Sequence, residues 1–186
     1  MKMKICVIAS AVLIAWVLKR HYAAARADEL WWILTPVARL AGGMTRTSFV
    51  LQAGEGYFSR DRLFLIEKSC AGINFMIAAF TMLMLALLHR VESRFSAARV
   101  LTVSLLASYS AAVLVNAVRI AIAMSVGAHP AALSAFSGAD VHRAEGIVVY
   151  FGGLVLVYEL VRRLDRGRIL AGRELSAEAR RLEAAP

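Results

Sequence analysis

Glu67-Lys68-Ser69-Cys70-Ala71-Gly72-Ile73-Asn74-Phe75 marks the point where a polar segment turns into an apolar run that continues to Leu88. A run of that length reads as a membrane span with one thiol at its mouth. Gly72 leaves the backbone open beside Cys70, and Asn74 falls one helical turn further along the same face. A thiol at a membrane surface can do chemistry if other spans bring suitable groups to the same depth.

The chain around this stretch has 186 residues, 60% of them hydrophobic, and a mean hydropathy of +0.64. That is too apolar for a soluble domain of this size. No low-complexity linker or internal repeat divides it, so residues 1–186 read as one integral membrane domain. The formal charge of +9 comes from arginines in short loops and a tail beside apolar runs, which is how cytoplasmic membrane flanks are charged. No basic helix with interleaved stacking aromatics stands out, so nucleic acid is not an expected partner, whereas membrane lipid is. Cys6 and Cys70 form neither a disulfide framework nor a CxxC spacing.

Upstream, Ile5 to Val17 is an apolar run between Lys2 and Lys4 on one side and Lys19-Arg20-His21 on the other. Ala25-Arg26-Ala27 mimics a signal-peptidase site, but basic residues stand between it and the apolar run, so a retained first span is expected. Residues 22–69 contain no clean span, because Pro36, Arg39, Gly42, Gly43 and Arg46 interrupt the apolar part. Trp31 and Trp32 look like interfacial anchors, so Leu30 to Leu40 reads as a short helix at the membrane surface. Ser48 to Leu51, the turn Gly54-Glu55-Gly56 and a β-rich piece ending at Ile66 read as a β-hairpin running into Cys70.

Downstream, the second span runs from Cys70 to Leu88, and its Met76, Met82 and Met84 read as packing side chains. A short basic loop, residues 89–99, leads to a third span from about Val100 to Val126 with two polar intrusions, Asn116 and Arg119. Residues 127–143 read as a loop carrying His129, Asp140 and His142. The fourth span covers about Ala144 to Val161, with Gly152 and Gly153 allowing close helix approach. A basic tail, residues 163–186, keeps a helical periodicity. The expected fold is an all-α polytopic membrane bundle of about four transmembrane helices, with an interfacial helix and a small outer β-hairpin. Loop 89–99 and the tail are short and basic and belong in the cytoplasm, which puts residues 22–69 and 127–143 outside.

Depth then decides the chemistry. At ~1.5 Å per helical residue, Cys70 to His89, Arg99 to Arg119 and Arg162 back to Glu145 each span about 26–30 Å, roughly one hydrocarbon core. With the basic ends inside, the thiol of Cys70, the guanidinium of Arg119 and the imidazole of His142 reach one outer layer. A thiol, a cation and a base are the parts of nucleophilic acyl transfer. Cys70 would attack a peptide carbonyl as thiolate, Arg119 would hold the developing oxyanion, and His142 would move the proton. Asn116 lies one turn before Arg119 and can orient it or the substrate. Glu145 or Asp140 can orient His142, and spacing does not choose between them. His129 and His21 are competing bases on the outer side; His89 lies on the other.

Each residue also has an ordinary explanation. A cysteine in an apolar stretch is usually a small buried hydrophobe, an arginine at a span's end can snorkel to headgroups, and a loop histidine is common. Arg119 is the strongest of the three, because an arginine within a span is costly and functional by default. No metal or other cofactor is expected, since the histidines are scattered without ligand spacing.

Cys70-Ala-Gly72 opening a span, Asn116-Ala-Val-Arg119 in the next, and His142 with Gly146 four residues on, in that order, resemble the exosortase/archaeosortase family of membrane cysteine transpeptidases. The resemblance covers residues 47–160, and the short chain looks like the exosortase K type. It implies Cys70, Arg119 and His142 as catalytic triad, with Gly72, Asn74, Asn116, Glu145 and Gly146 as binding or orienting residues. It also implies an exported protein as partner, bearing a C-terminal sorting signal made of a short motif, a hydrophobic helix and a basic cluster. Such enzymes work on the outer side of the bacterial inner membrane, often in exopolysaccharide producers. Typical members have more spans, and many carry an arginine where this chain has Asn74. The expected function is therefore a membrane-embedded cysteine transpeptidase or protease acting through a thioester. The alternative is a non-catalytic helical subunit in which Arg119 makes a structural ion pair; a thiol-redox protein lacks the second outer cysteine.

Overall fold

The computed structural model describes the backbone of residues 2–127 and 138–183, and the side chains of residues 2–125 and 144–167. Its elements in chain order are α1 (Lys2–Ala24), α2 (Trp31–Thr45), strands β1 (Val50–Gln52), β2 (Gly56–Ser59) and β3 (Phe64–Ile66), then α3 (Ile73–Leu87), α4 (Arg94–Gly127) and α5 (Gly138–Glu183). Three segments are long and apolar enough to cross a membrane: Lys68–Arg90, Arg94–Ser125 and Ala144–Gly167. The expected first span, in α1, is not among them. Its uninterrupted apolar run, Ile5 to Val17, rises only ~20 Å against a ~30 Å hydrocarbon core.

α2 is longer than the expected helix over Leu30 to Leu40. It extends past Gly42 and Gly43 and buries Ile33, Leu34, Val37, Ala38 and Ala41, one face of the helix, against α4. Trp31 stays exposed, whereas Trp32 stacks on Tyr109 of α4 with ring centroids 6.0 Å apart. Pro36 removes the N–H that would have bonded the Trp32 carbonyl four residues back. The Tyr109 hydroxyl donates to that carbonyl instead, at 2.7 Å, so the interruption read from sequence is repaired by a neighbouring helix.

The expected hairpin is a three-stranded antiparallel meander, because the second β-rich piece splits at residues 60–63 into two strands. Val50 pairs with Phe58 and Gln52 with Gly56; Tyr57 pairs with Ile66 and Ser59 with Phe64. Tyr57 shares a hydrogen bond of 2.5 Å with Thr35 and so fastens the sheet to α2. The loop expected at residues 89–99 shrinks, since a 3-10 turn covers Leu88–Arg90 and α4 starts at Arg94. Ser93 and Ser96 explain the early start by capping each other's backbone N–H groups, at 3.2 and 2.8 Å.

The loop expected at residues 127–143 is likewise shorter, because α5 is helical from Gly138, and α5 continues through the basic tail to Glu183. His129 lies outside the described residues, and the side chains of Asp140 and His142 lie outside the described side chains. One apolar cluster joins α2, the Cys70 turn, the start of α3 and the later part of α4. A second joins Val7 of α1 to Phe80 and Met84 of α3 and Val100 of α4. His89 and Arg90 both pair with Asp165, which ties the far end of α3 to α5.

Candidate active site

Cys70 sits on a 3-10 turn, Lys68–Ala71, whose backbone closes with Cys70 N–H donating to Glu67 O at 2.9 Å. Gly72 follows in the left-handed region, φ 69° and ψ 15°, and caps α3, whose first bond runs from Met76 N–H to Gly72 O at 3.0 Å. A Cβ on Gly72 would meet the Asn116 side chain at 3.3 Å, so both conformation and space favour glycine here. This turn separates Cys70 from the helix, and the expectation that Asn74 shares a helical face with Cys70 is corrected. Asn74 Oδ1 instead accepts from Lys19 Nζ of α1 at 2.7 Å.

Asn116 is fully buried in α4, and its Nδ2 donates to the Cys70 carbonyl. Its Oδ1 accepts from the Tyr150 hydroxyl of α5 at 2.8 Å, and that hydroxyl accepts from Arg119 Nη1 at 3.2 Å. The Arg119 guanidinium also lies over the Tyr150 ring, 5.3 Å from its centroid, while Phe75 of α3 stacks on the ring at 5.4 Å. A chain of hydrogen bonds thus runs from Arg119 through Tyr150 and Asn116 to the backbone of Cys70, across three elements. Burying an amide and a guanidinium is costly unless their polar atoms are bonded, and this chain supplies such bonds.

α5 comes this close because its inward face is small. A Cβ on Gly153 would lie 2.9 Å from both Val115 methyl groups, and one on Gly146 would lie 3.4 Å from Arg119 Nε. Gly152 faces open space, so of the two adjacent glycines only Gly153 makes the expected close approach.

A cleft of about 700 Å³ opens over this network, lined by Tyr22, Ser69, Asn74, Arg119, Gly146 and Tyr150 among others. Cys70 lies between two lining residues, Ser69 and Gly72, and is 8% exposed. Its sulfur is 3.8 Å from Ser69 Oγ, and Ser69 Oγ donates to Glu67 Oε1 at 2.6 Å. On the α1 side, Lys19 and Lys68 flank the Tyr22 ring at 5.7 and 5.2 Å from its centroid. Burial pushes the Tyr22 phenol above its ordinary value, and proximity to Cys70 and Glu67 adds to the rise.

Of the residues singled out in the sequence, Cys70, Gly72, Asn116, Arg119 and Gly146 come together here, and Asn74 joins them on the cleft wall. Glu145 precedes Gly146 on α5 and is half-buried; the position of the His142 side chain is outside what the structure describes. Cys6 is exposed and Cys70 buried, both as free thiols. Among the described residues, no group of three or more His, Cys, Asp or Glu lies together as a metal site. Sequence reasoning missed Tyr150, Tyr22 and Ser69. Tyr150 carried a usable signal, since Gly146, Tyr150 and Gly153 fall on one helical face. Comparison of the chain with family models, with curated proteins and with solved structures finds no match.

Proposed function

We propose that this chain is a membrane-embedded cysteine transpeptidase or protease of the exosortase type, cutting a C-terminal sorting signal of exported proteins through a thioester. The observation that carries the reading is the Arg119–Tyr150–Asn116–Cys70 hydrogen-bond chain beneath an open cleft. A scaffold needs no cleft over a buried guanidinium that is linked to the backbone of a cysteine in this way.

On this reading the Cys70 thiolate attacks the scissile carbonyl, a C–S bond forms, and the carbonyl electron pair moves onto oxygen, where Arg119 balances it. The C–N bond then breaks, and the leaving amine takes a proton from His142. A second amine or water attacks the thioester and frees Cys70, giving transfer or hydrolysis. Asn116 and Tyr150 fix Arg119 and the Cys70 backbone, which limits motion at the moment of attack. The site faces outward from the bacterial inner membrane, and the substrate's hydrophobic helix lies in the bilayer beside the bundle.

The test uses the full chain in bacterial inner membranes with an exported reporter ending in a short motif, a hydrophobic helix and a basic cluster. Wild-type protein should yield a shortened reporter and a hydroxylamine-sensitive adduct on Cys70. Arg119→Ala should slow processing about 100-fold or more, the scale of losing an oxyanion partner. Processing at the wild-type rate by Cys70→Ala would leave the non-catalytic subunit as the better account. Labelling of Cys70 by a membrane-impermeant maleimide, in a Cys6→Ser background, tests the outward orientation.

A further inference from the structure

The Ser69 hydroxyl has a single proton, and the 2.6 Å contact with Glu67 Oε1 uses it, because a carboxylate only accepts. The remaining contact of that hydroxyl, 3.8 Å to the Cys70 sulfur, is therefore one in which the S–H donates. A directed path follows, from thiol to hydroxyl to carboxylate. The same turn is closed by Cys70 N–H on Glu67 O, which holds the three side chains in register. Glu67 and Ser69 are both exposed, so a proton arriving at Glu67 can leave to water.

We propose that Glu67, acting through the Ser69 hydroxyl, is a proton acceptor for the Cys70 thiol during attack. This rests on reading Cys70 as the nucleophile. As the C–S bond forms, the thiol proton passes to Ser69 Oγ while the Ser69 proton passes to Glu67 Oε1; the pair formerly in the S–H bond becomes the new C–S bond. The proton then leaves Glu67 to water, and the leaving amine takes its own proton from His142 when the C–N bond breaks. No oxidant, reductant or co-reactant is required.

The charged and titratable groups around the relay have separate engagements. Lys68, on the same turn, donates to the Ala23 carbonyl at 3.1 Å and faces Tyr22 of α1. Lys19 of α1 is bonded to Asn74, and on the α4 and α5 side Arg119 and Tyr150 are bonded to each other. Glu67 alone among the groups named here accepts the Ser69 proton.

The test measures alkylation of Cys70 by iodoacetamide in the full-length Cys6→Ser protein in detergent. At about pH 6.5, Glu67→Gln should slow alkylation about tenfold, and at about pH 9.5, where hydroxide can take the thiol proton without the relay, it should change little. Ser69→Ala should show the same loss, the double variant no more than either single one, and Ser69→Thr should keep the wild-type rate. Wild-type rates for Glu67→Gln or Ser69→Ala at the lower pH, or losses that multiply in the double variant, would overturn the relay. Alkylation needs no peptide, so the two readings separate. Glu67-dependent alkylation with an uncut reporter supports the relay and removes the sorting-signal function; a reporter cut at the normal rate by Glu67→Gln, with alkylation unchanged, removes the relay alone.

Discussion

α3 and α5 are both apolar enough to cross a membrane, yet 56% of the most apolar stretch of the α3 segment is buried inside the protein and only 6% of that of α5. α3 is enclosed by α1, α4 and α5, with Phe80 fully buried. α5 turns Ile147, Val148, Phe151 and Leu156 outward and touches the rest of the protein along a seam that includes Gly146, Tyr150 and Gly153. Apolarity therefore does not rank helices by burial. In water the outward face of α5 would be an aggregation hazard; against lipid it is an ordinary surface. The candidate site joins the two regimes, with Cys70 and Asn116 sunk in the core and Tyr150 reaching in from an exposed helix.

The comparison is most exposed to substitution inside α3. Phe80→Ala should destabilise the protein by about 3 kcal/mol, whereas Phe151→Ala, on the open face of α5, should stay within about 0.5 kcal/mol. Thermal unfolding in detergent checks both, and equal losses would mean that α5 is not peripheral. Next in size is the seam. Gly153→Val collides with Val115 and should cost about 1–3 kcal/mol, while the neighbouring Gly152→Val should be near neutral.

Tyr150→Phe sharpens the point by keeping the ring and removing the hydroxyl that joins α5 to α4. Asn116 loses a donor and Arg119 an acceptor, which should cost about 1–2 kcal/mol and slow reporter processing about tenfold. The smallest effect belongs to the far end of the apolar part of α5. Asp165→Asn weakens the contacts to His89 and Arg90, which are partly exposed, and should cost less than about 1 kcal/mol, detectable as a salt-sensitive shift in unfolding midpoint.

The long apolar helices, their order and the company kept by Cys70, Asn116 and Arg119 were legible because each rests on local chemistry. Long apolar runs bounded by arginines mark spans, and a helical repeat puts Asn116 and Arg119 on one face. The misreadings have a common origin in contacts between elements. Pro36 read as a break because the sequence does not reveal that Tyr109 would satisfy the carbonyl it orphans. Cys70 read as part of a helix because a positive φ at Gly72 costs nothing locally and is selected by Asn116 lying against it. The split of the second β-rich piece into two strands likewise depends on pairing partners, which periodicity alone does not supply.

What the sequence determined by itself was which segments avoid water and which residues carry reactive groups, since hydropathy and side-chain chemistry are properties of residues taken singly. Which apolar helix became core and which became periphery, and which polar groups joined Cys70, were decided only when the helices packed. Burial and hydrogen bonding are pairwise quantities, and Tyr150 acquires its place from Asn116 and Arg119, thirty-four and thirty-one residues away.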